Sequence, residues 1–184
     1  MNAAQLRALQ APLKSHYRDA PEAARIPARA EAVLDLPNLA CRVAAGSRTS
    51  VAGLHPTAGG DGSLACSADM LLEALVACAG VTLGAVATAM GIELRGGRVI
   101  AEGVWDARGT LGVDRSVPVG LTGVSLTFEL DGDADAAILD RLLAATERYC
   151  VIFQTLRNPP SISTHWRRKG ESVGADSSEQ AASG

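Results

Sequence analysis

Polar and apolar residues alternate from Ala28 to Leu36 (ARAEAVLDL), the period-two pattern of a half-buried strand, and Pro37-Asn38 follows as a turn. Leu39 to Val51 predicts a second strand and a third, separated at Gly46-Ser47, and Gly53 to Ser63 predicts a glycine-rich loop. From Ser67 the pattern changes to a long apolar helix reaching about Met90, with Ser67 as the expected cap, Asp69 in the first turn and Gly91 as the stop. Arg98–Gly109 and Gly120–Leu130 read as strands, and Asp131-Gly132-Asp133 as the turn after the second. A second helix is expected from Asp133 or Asp135 through Cys150 and on toward Leu156, ended by Asn158-Pro159-Pro160, with a short last strand over Ser161–Trp166.

Residues 1–25, interrupted by Pro12 and Pro21, read as an arm with a short helix, and the small polar residues from Lys169 onward predict disorder. The expected organisation is an N-terminal arm (1–27), one α+β domain (28–168) of antiparallel strands around a long buried helix, and a disordered tail (169–184).

Ala74 to Ile92 carries no charge and approaches the length of a bilayer span. Its Ala, Gly, Thr and Val content makes transfer into lipid weak, and no aromatic belt flanks it, so a buried core helix is expected rather than a membrane segment. One small domain lacks the material to cover such a helix on all sides. A second subunit is therefore expected to supply the rest.

Composition narrows the function classes. The 184 residues are 47% hydrophobic, 20% charged and 3% aromatic, the balance of a globular domain whose core is built from Ala, Val and Leu. Seventeen Lys and Arg against twenty Asp and Glu give a net charge of −3, which argues against a nucleic-acid or anionic-lipid partner. The N-terminus shows no apolar stretch behind a basic start, so a cytoplasmic location with reduced thiols is expected. Neither C-x-x-C nor H-E-x-x-H occurs, so no metal is expected. The glycine-rich loop matches neither phosphate-binding signature, GxxxxGK[ST] or GxGxxG.

The four cysteines carry both nucleophilicity and redox chemistry. Cys41 falls in a predicted strand and reads most simply as a small buried residue. Cys66 sits beside the start of the long helix, where the dipole favours a thiolate. Cys78 lies mid-helix on a stripe with Leu71, Ala74, Leu75, Val81, Thr82 and Ala85, where burial alone would raise its pKa and leave it inert unless a cation approached. Cys150 ends the apolar stripe of the second helix, and a crossing of the two helices would bring it toward Cys78. Glu73 stands within LLEALVAC, where a charge calls for a partner: Arg42, Arg48, or an arginine of another chain, in a plain ion pair or in one that aims a guanidinium at the thiol. His55 in the loop is a conceivable base toward a thiol.

The segments SADMLLEALVACAGVTLGAVATAMGI and ERYCVIFQTLRNPP resemble the OsmC/Ohr family of thiol-dependent peroxide-resistance proteins, in a divergent branch. The resemblance runs over about residues 28–166 and implies an intertwined homodimer with the central helices buried between subunits. It implies that Cys78 is the peroxidatic thiolate attacking an organic hydroperoxide, that Cys150 resolves the sulfenate to a disulfide, and that a dithiol resets the pair, without cofactor or metal. In the family an arginine clamped by a glutamate holds the thiolate. The position of that glutamate is Ala68 here, with Asp69 and Glu73 as the nearest carboxylates, and Glu73 is taken as the supporting residue. Two other readings stand beside this one: a non-catalytic dimer binding a small apolar ligand at the subunit interface, and an acyl hydrolase using Cys66 or Cys78 with His55.

Overall fold

The computed structural model describes residues 1–168; the expected disordered tail, 169–184, lies outside the described residues. Helix α1 (Ala3–Asp19) opens the chain with a reciprocal cap: the Asn2 side chain accepts from the Gln5 amide, and the Gln5 side chain accepts from the Asn2 amide, both at 2.9 Å. Pro12 lies inside it without ending it. The arm is thus a 17-residue helix, longer than expected, and it packs on the central helix rather than trailing in solvent. A single 3-10 turn, Pro21–Ala24, follows.

Three antiparallel strands come next, β1 (Glu31–Asp35), β2 (Ala40–Ala45) and β3 (Arg48–Ala52), in the order β1-β2-β3. The first turn puts Leu39 at φ 48° while the Asn38 side-chain Nδ2 donates to both Asp35 carboxylate oxygens. The second is the predicted Gly46-Ser47 pair, with Gly46 at φ 57°. This sheet stands apart from the rest of the chain. Only Ala52 in it is buried, every residue of β1 is exposed, and its link onward is a parallel bridge between Ala52 and Ala65.

Helix α2 (Ser67–Met90) leads into β4 (Leu94–Val104), the short α3 (Ala107–Thr110), β5 (Gly123–Gly132), α4 (Ala136–Tyr149) and α5 (Val151–Arg157). β4 and β5 form a long antiparallel pair, with an irregularity between Leu94 and Gly96. Asp131 and Gly132, expected as a turn, belong to β5 because Gly132 pairs with Leu94. Likewise β4 begins before Arg98 and ends before Gly109.

The core lies where α2, α4 and the β4–β5 pair meet: Leu83, Ala87 and Leu142 are buried, with Val86, Ile92, Leu94, Phe128, Leu130, Leu139 and Leu143 around them. Burying a side chain such as Leu142 contributes about 1.5–3 kcal/mol. The α+β class with antiparallel sheets follows directly. The expectation of a fully buried central helix does not hold within one chain. The interior side is the i, i+4 stripe Leu75, Ala79, Leu83 and Ala87, while Val81 is 76% exposed and Ala77 and Gly84 face outward. By length and composition α2 is long and apolar enough to cross a membrane, yet it is packed against α1, β4, α4 and α5.

Two further expectations are corrected. Ser161–Trp166 forms no strand, and Ile162 and Trp166 are 87% and 82% exposed; a strand needs a paired neighbour, and this segment has none among the described residues. The second helix is two helices, because Cys150 adopts φ −76°, ψ 109° and interrupts the helical ladder.

Candidate functional site

The N-cap of α2 is Cys66 rather than Ser67, and its side chain makes no capping hydrogen bond. Asp69 sits in the first turn as expected. At the other end Gly91 takes φ 69°, which lets Ile92 donate to the Ala87 carbonyl at 2.9 Å and closes the helix. This frame fixes Cys78 midway along α2, half-buried next to the interior stripe.

Cys150 reaches the same place from the other side. α4 starts at Asp135, whose carboxylate accepts from the Ile138 amide at 2.8 Å, and runs inward so that Leu142, Thr146 and Cys150 are buried at its end. Cys150 closes α4 by donating its amide to the Thr146 carbonyl at 2.9 Å, and opens α5 by accepting from the Gln154 amide at 3.0 Å. The Gln154 side chain also donates to the Glu147 carbonyl at 2.8 Å, satisfying an acceptor at the end of α4. The turn at Cys150 frees the first amides of α5 and aims them at Cys78.

The electrostatics follow from that junction. Burial pushes the Cys78 thiol up, but hydrogen bonds from the Ile152 amide, the Cys150 thiol, the Val151 amide and the Thr82 hydroxyl outweigh it and hold the thiol below its ordinary value. Cys150 moves the opposite way. Burial raises it, and both its donated hydrogen bond to Cys78 and the negative charge there raise it further, against amides of Phe153 and Ile152 that pull it down. The two thiols therefore act on each other with opposite protonation preferences: half-buried Cys78 is shifted toward the thiolate and Cys150, 1% exposed, toward the thiol. All four cysteines are free thiols.

The other residues singled out in the sequence fall elsewhere. Glu73 is exposed on α2, with no ion pair among the described residues. Its expected burial beside an arginine is thus not found among the described residues, because it lies on the uncovered face of α2. Arg42 and Arg48 lie exposed on β2 and β3, and neither is among the groups acting on Cys78. Neutral donors at a helix start occupy the place where a guanidinium was expected. Ala68 lies in the first turn of α2.

His55 is engaged locally. Its Nδ1 accepts from the Thr57 amide at 3.1 Å, and its ring stands edge-on to Trp105 at 5.4 Å. Cys41 pairs in register with Ala52, which in turn bridges Ala65 next to Cys66, two strand spacings away and too far for a disulfide. Among the described residues no cluster of His, Cys, Asp and Glu is suited to a metal ion. Val151 and Ile152 escaped the sequence reading because one continuous helix would have tied up their amides. Thr82 was visible one turn after Cys78 on the same stripe.

The model of the OsmC-like protein family matches residues 60–165, which contain both thiols, α2, the β4–β5 pair, α4 and α5. The chain belongs to the OsmC-like protein family. Solved structures of similar fold include an OsmC-like protein from Mycoplasma pneumoniae, with TM-score 0.62 and 17% identity over 73% of this chain and 90% of that one. An organic hydroperoxide resistance protein OsmC from Legionella pneumophila gives TM-score 0.58 and 18% identity over 73% and 91%. The organic hydroperoxide resistance protein OhrB of Bacillus subtilis gives 0.52 and 17% over 73% and 93%. No curated protein matches the sequence significantly. In this OsmC-like protein α1 lies outside the family match, and the thiol pair lies inside it.

Proposed function

We propose that this OsmC-like protein is a thiol-dependent peroxidase for organic hydroperoxides, acting as a homodimer. The observation that carries the reading is the pair itself: where α2 meets the α4–α5 junction, a half-buried thiol is held below its ordinary pKa and a second, buried thiol beside that junction is held above its own. The hydroperoxide resistance activity named for the Legionella and Bacillus relatives points the same way.

The Cys78 thiolate attacks the O–O bond and takes the distal oxygen, giving a Cys78 sulfenic acid and an alkoxide that leaves as the alcohol after protonation. The Cys150 sulfur then displaces hydroxide from the sulfenic sulfur, releasing water and forming a Cys78–Cys150 disulfide. An external dithiol reduces that bond by exchange, becoming a disulfide itself. The apolar surroundings, with Leu75 and Val81 on neighbouring turns of α2, favour an alkyl peroxide over hydrogen peroxide. Dimer formation is supported by the bare side of α2 and by a β1–β3 sheet left without a cover. Glu73, exposed on that bare side, is available to an arginine of the second copy.

Dithiol consumption with cumene hydroperoxide and with hydrogen peroxide tests the reading. The organic peroxide should turn over faster, Cys78→Ser should abolish turnover, and Cys150→Ser should stop at a sulfenic acid trapped by dimedone. Preference for hydrogen peroxide, or full turnover by Cys78→Ser, overturns it. Thiols that stay reduced under peroxide while an apolar molecule co-purifies would instead favour a ligand-binding dimer, a reading to which Ala68 and the lack of an arginine acting on Cys78 lend support.

A further inference from the structure

A helix running unbroken from α4 into α5 would give the Val151 amide to the Glu147 carbonyl and the Ile152 amide to the Arg148 carbonyl, each four residues back. Cys150 prevents this. Its ψ of 109°, against about −42° in a helix, turns the following peptide out of the α4 ladder. Among the described residues neither amide donates back into α4, and both turn toward Cys78 where α5 packs on α2.

The carbonyl that Val151 gives up is not left bare. Gln154, half-buried one turn into α5, reaches back seven residues and donates its side-chain Nε2 to the Glu147 carbonyl at 2.8 Å. A carbonyl left unpaired at such a junction is costly, so without this donor it would draw the Val151 amide back into the ladder. The Gln154 backbone is itself pinned: its amide donates to the Cys150 carbonyl at 3.0 Å, and its carbonyl accepts from the Asn158 amide at 2.9 Å. A second tie across the junction, Arg157 to the Glu147 carboxylate at 3.8 Å, is looser, more exposed and leaves the carbonyl untouched.

We propose that Gln154 is a positioning residue for Cys78: by occupying the Glu147 carbonyl in place of the Val151 amide, it holds the break at Cys150 open and keeps the Val151 and Ile152 amides directed at the sulfur. The inference rests on the peroxidase reading for its catalytic consequence, whereas the hold on the thiol is measurable without peroxide. Of the groups acting on Cys78, Cys150 alone titrates, and it is retained in every variant that tests the role, so a shift in the Cys78 profile reports the amides.

The test is the pH profile of iodoacetamide modification of the Cys78 peptide, in a Cys41→Ser, Cys66→Ser background. Gln154→Met keeps the length of the side chain without its donor, and Gln154→Asn keeps the donor one methylene short of the carbonyl. Both, with their folds checked by circular dichroism, should move the midpoint up by about half to one pH unit, or roughly three- to tenfold less thiolate in mild acid. Gly97→Ala, which destabilises through the β4–β5 pair rather than through α5, should leave the midpoint in place and so separates positioning from a general loss of stability.

An unmoved midpoint in either Gln154 variant, or an equal shift in Gly97→Ala, overturns the inference. Shifted midpoints in a protein that turns over no hydroperoxide would remove the peroxidase and leave this role standing. Turnover of cumene hydroperoxide with unmoved midpoints would do the reverse.

Discussion

Removing the sulfur of Cys150 should make Cys78 a poorer nucleophile even where no peroxide is present. The Cys150 thiol donates to the Cys78 sulfur and is one of four donors that hold Cys78 below its ordinary pKa. A hydrogen bond to a charged group is worth about 1.5–3 kcal/mol, and a thiol is a weak donor, so a loss of about 1 kcal/mol is expected in Cys150→Ala. That corresponds to roughly fivefold less thiolate at a mildly acidic pH. The more basic sulfur is also intrinsically about twofold more nucleophilic, which leaves alkylation about two- to threefold slower. Cys150→Ser keeps a donor and should fall much closer to the parent. The assay is the rate of iodoacetamide modification of the Cys78 peptide, read by mass spectrometry in a Cys41→Ser, Cys66→Ser background. At alkaline pH the advantage should disappear. Equal or faster alkylation of Cys150→Ala in mild acid, or a serine variant as slow as the alanine one, would refute the hydrogen-bond account.

The thiol shift also has a consequence for stability. Because Cys78 is held below the unfolded value, it stabilises the fold fully above the unfolded pKa and loses that contribution as pH falls through its lowered value. Urea melts of parent and Cys78→Ser should therefore diverge as pH rises. Leu142→Ala empties a fully buried site and should cost about 2–5 kcal/mol in the same melts. Gly97→Ala would set a Cβ 2.6 Å from the Glu129 carbonyl oxygen at φ 156°, so a loss of about 1–3 kcal/mol is expected. Ala77→Arg on the bare side of α2 should leave the fold intact by circular dichroism, and under the proposed homodimer it should move the sedimentation coefficient to that of a monomer.

Much of the architecture was legible because it is written in local signals. Gly46-Ser47 and Gly91 both require or favour positive φ, and both ended elements where expected. The α2 span from Ser67 to Met90 was visible because an uninterrupted apolar run has few other uses. Pro12 misled for the opposite reason: a locally unfavourable residue is tolerated where α1 finds a surface on α2 to pack against. Cys150 could not be read as a break, since Tyr149, Cys150 and Val151 carry no breaker and the interruption comes from how α5 meets α2. The sequence pointed to two thiols and to a need for something positive near Cys78. That the positive ends would be amides of Val151 and Ile152 is a tertiary fact, invisible to any pattern along the chain.

The last helix and the Cys78 sulfur support each other. Val151 and Ile152 turn their N–H groups toward Cys78, and in return the sulfur occupies donors that no side chain caps. Whatever ties up that sulfur, whether an alkyl group, an oxygen or a bond to its neighbour, weakens the acceptor offered to a helix only seven residues long. The chemical history of one atom is thereby made audible in the firmness of a whole backbone segment.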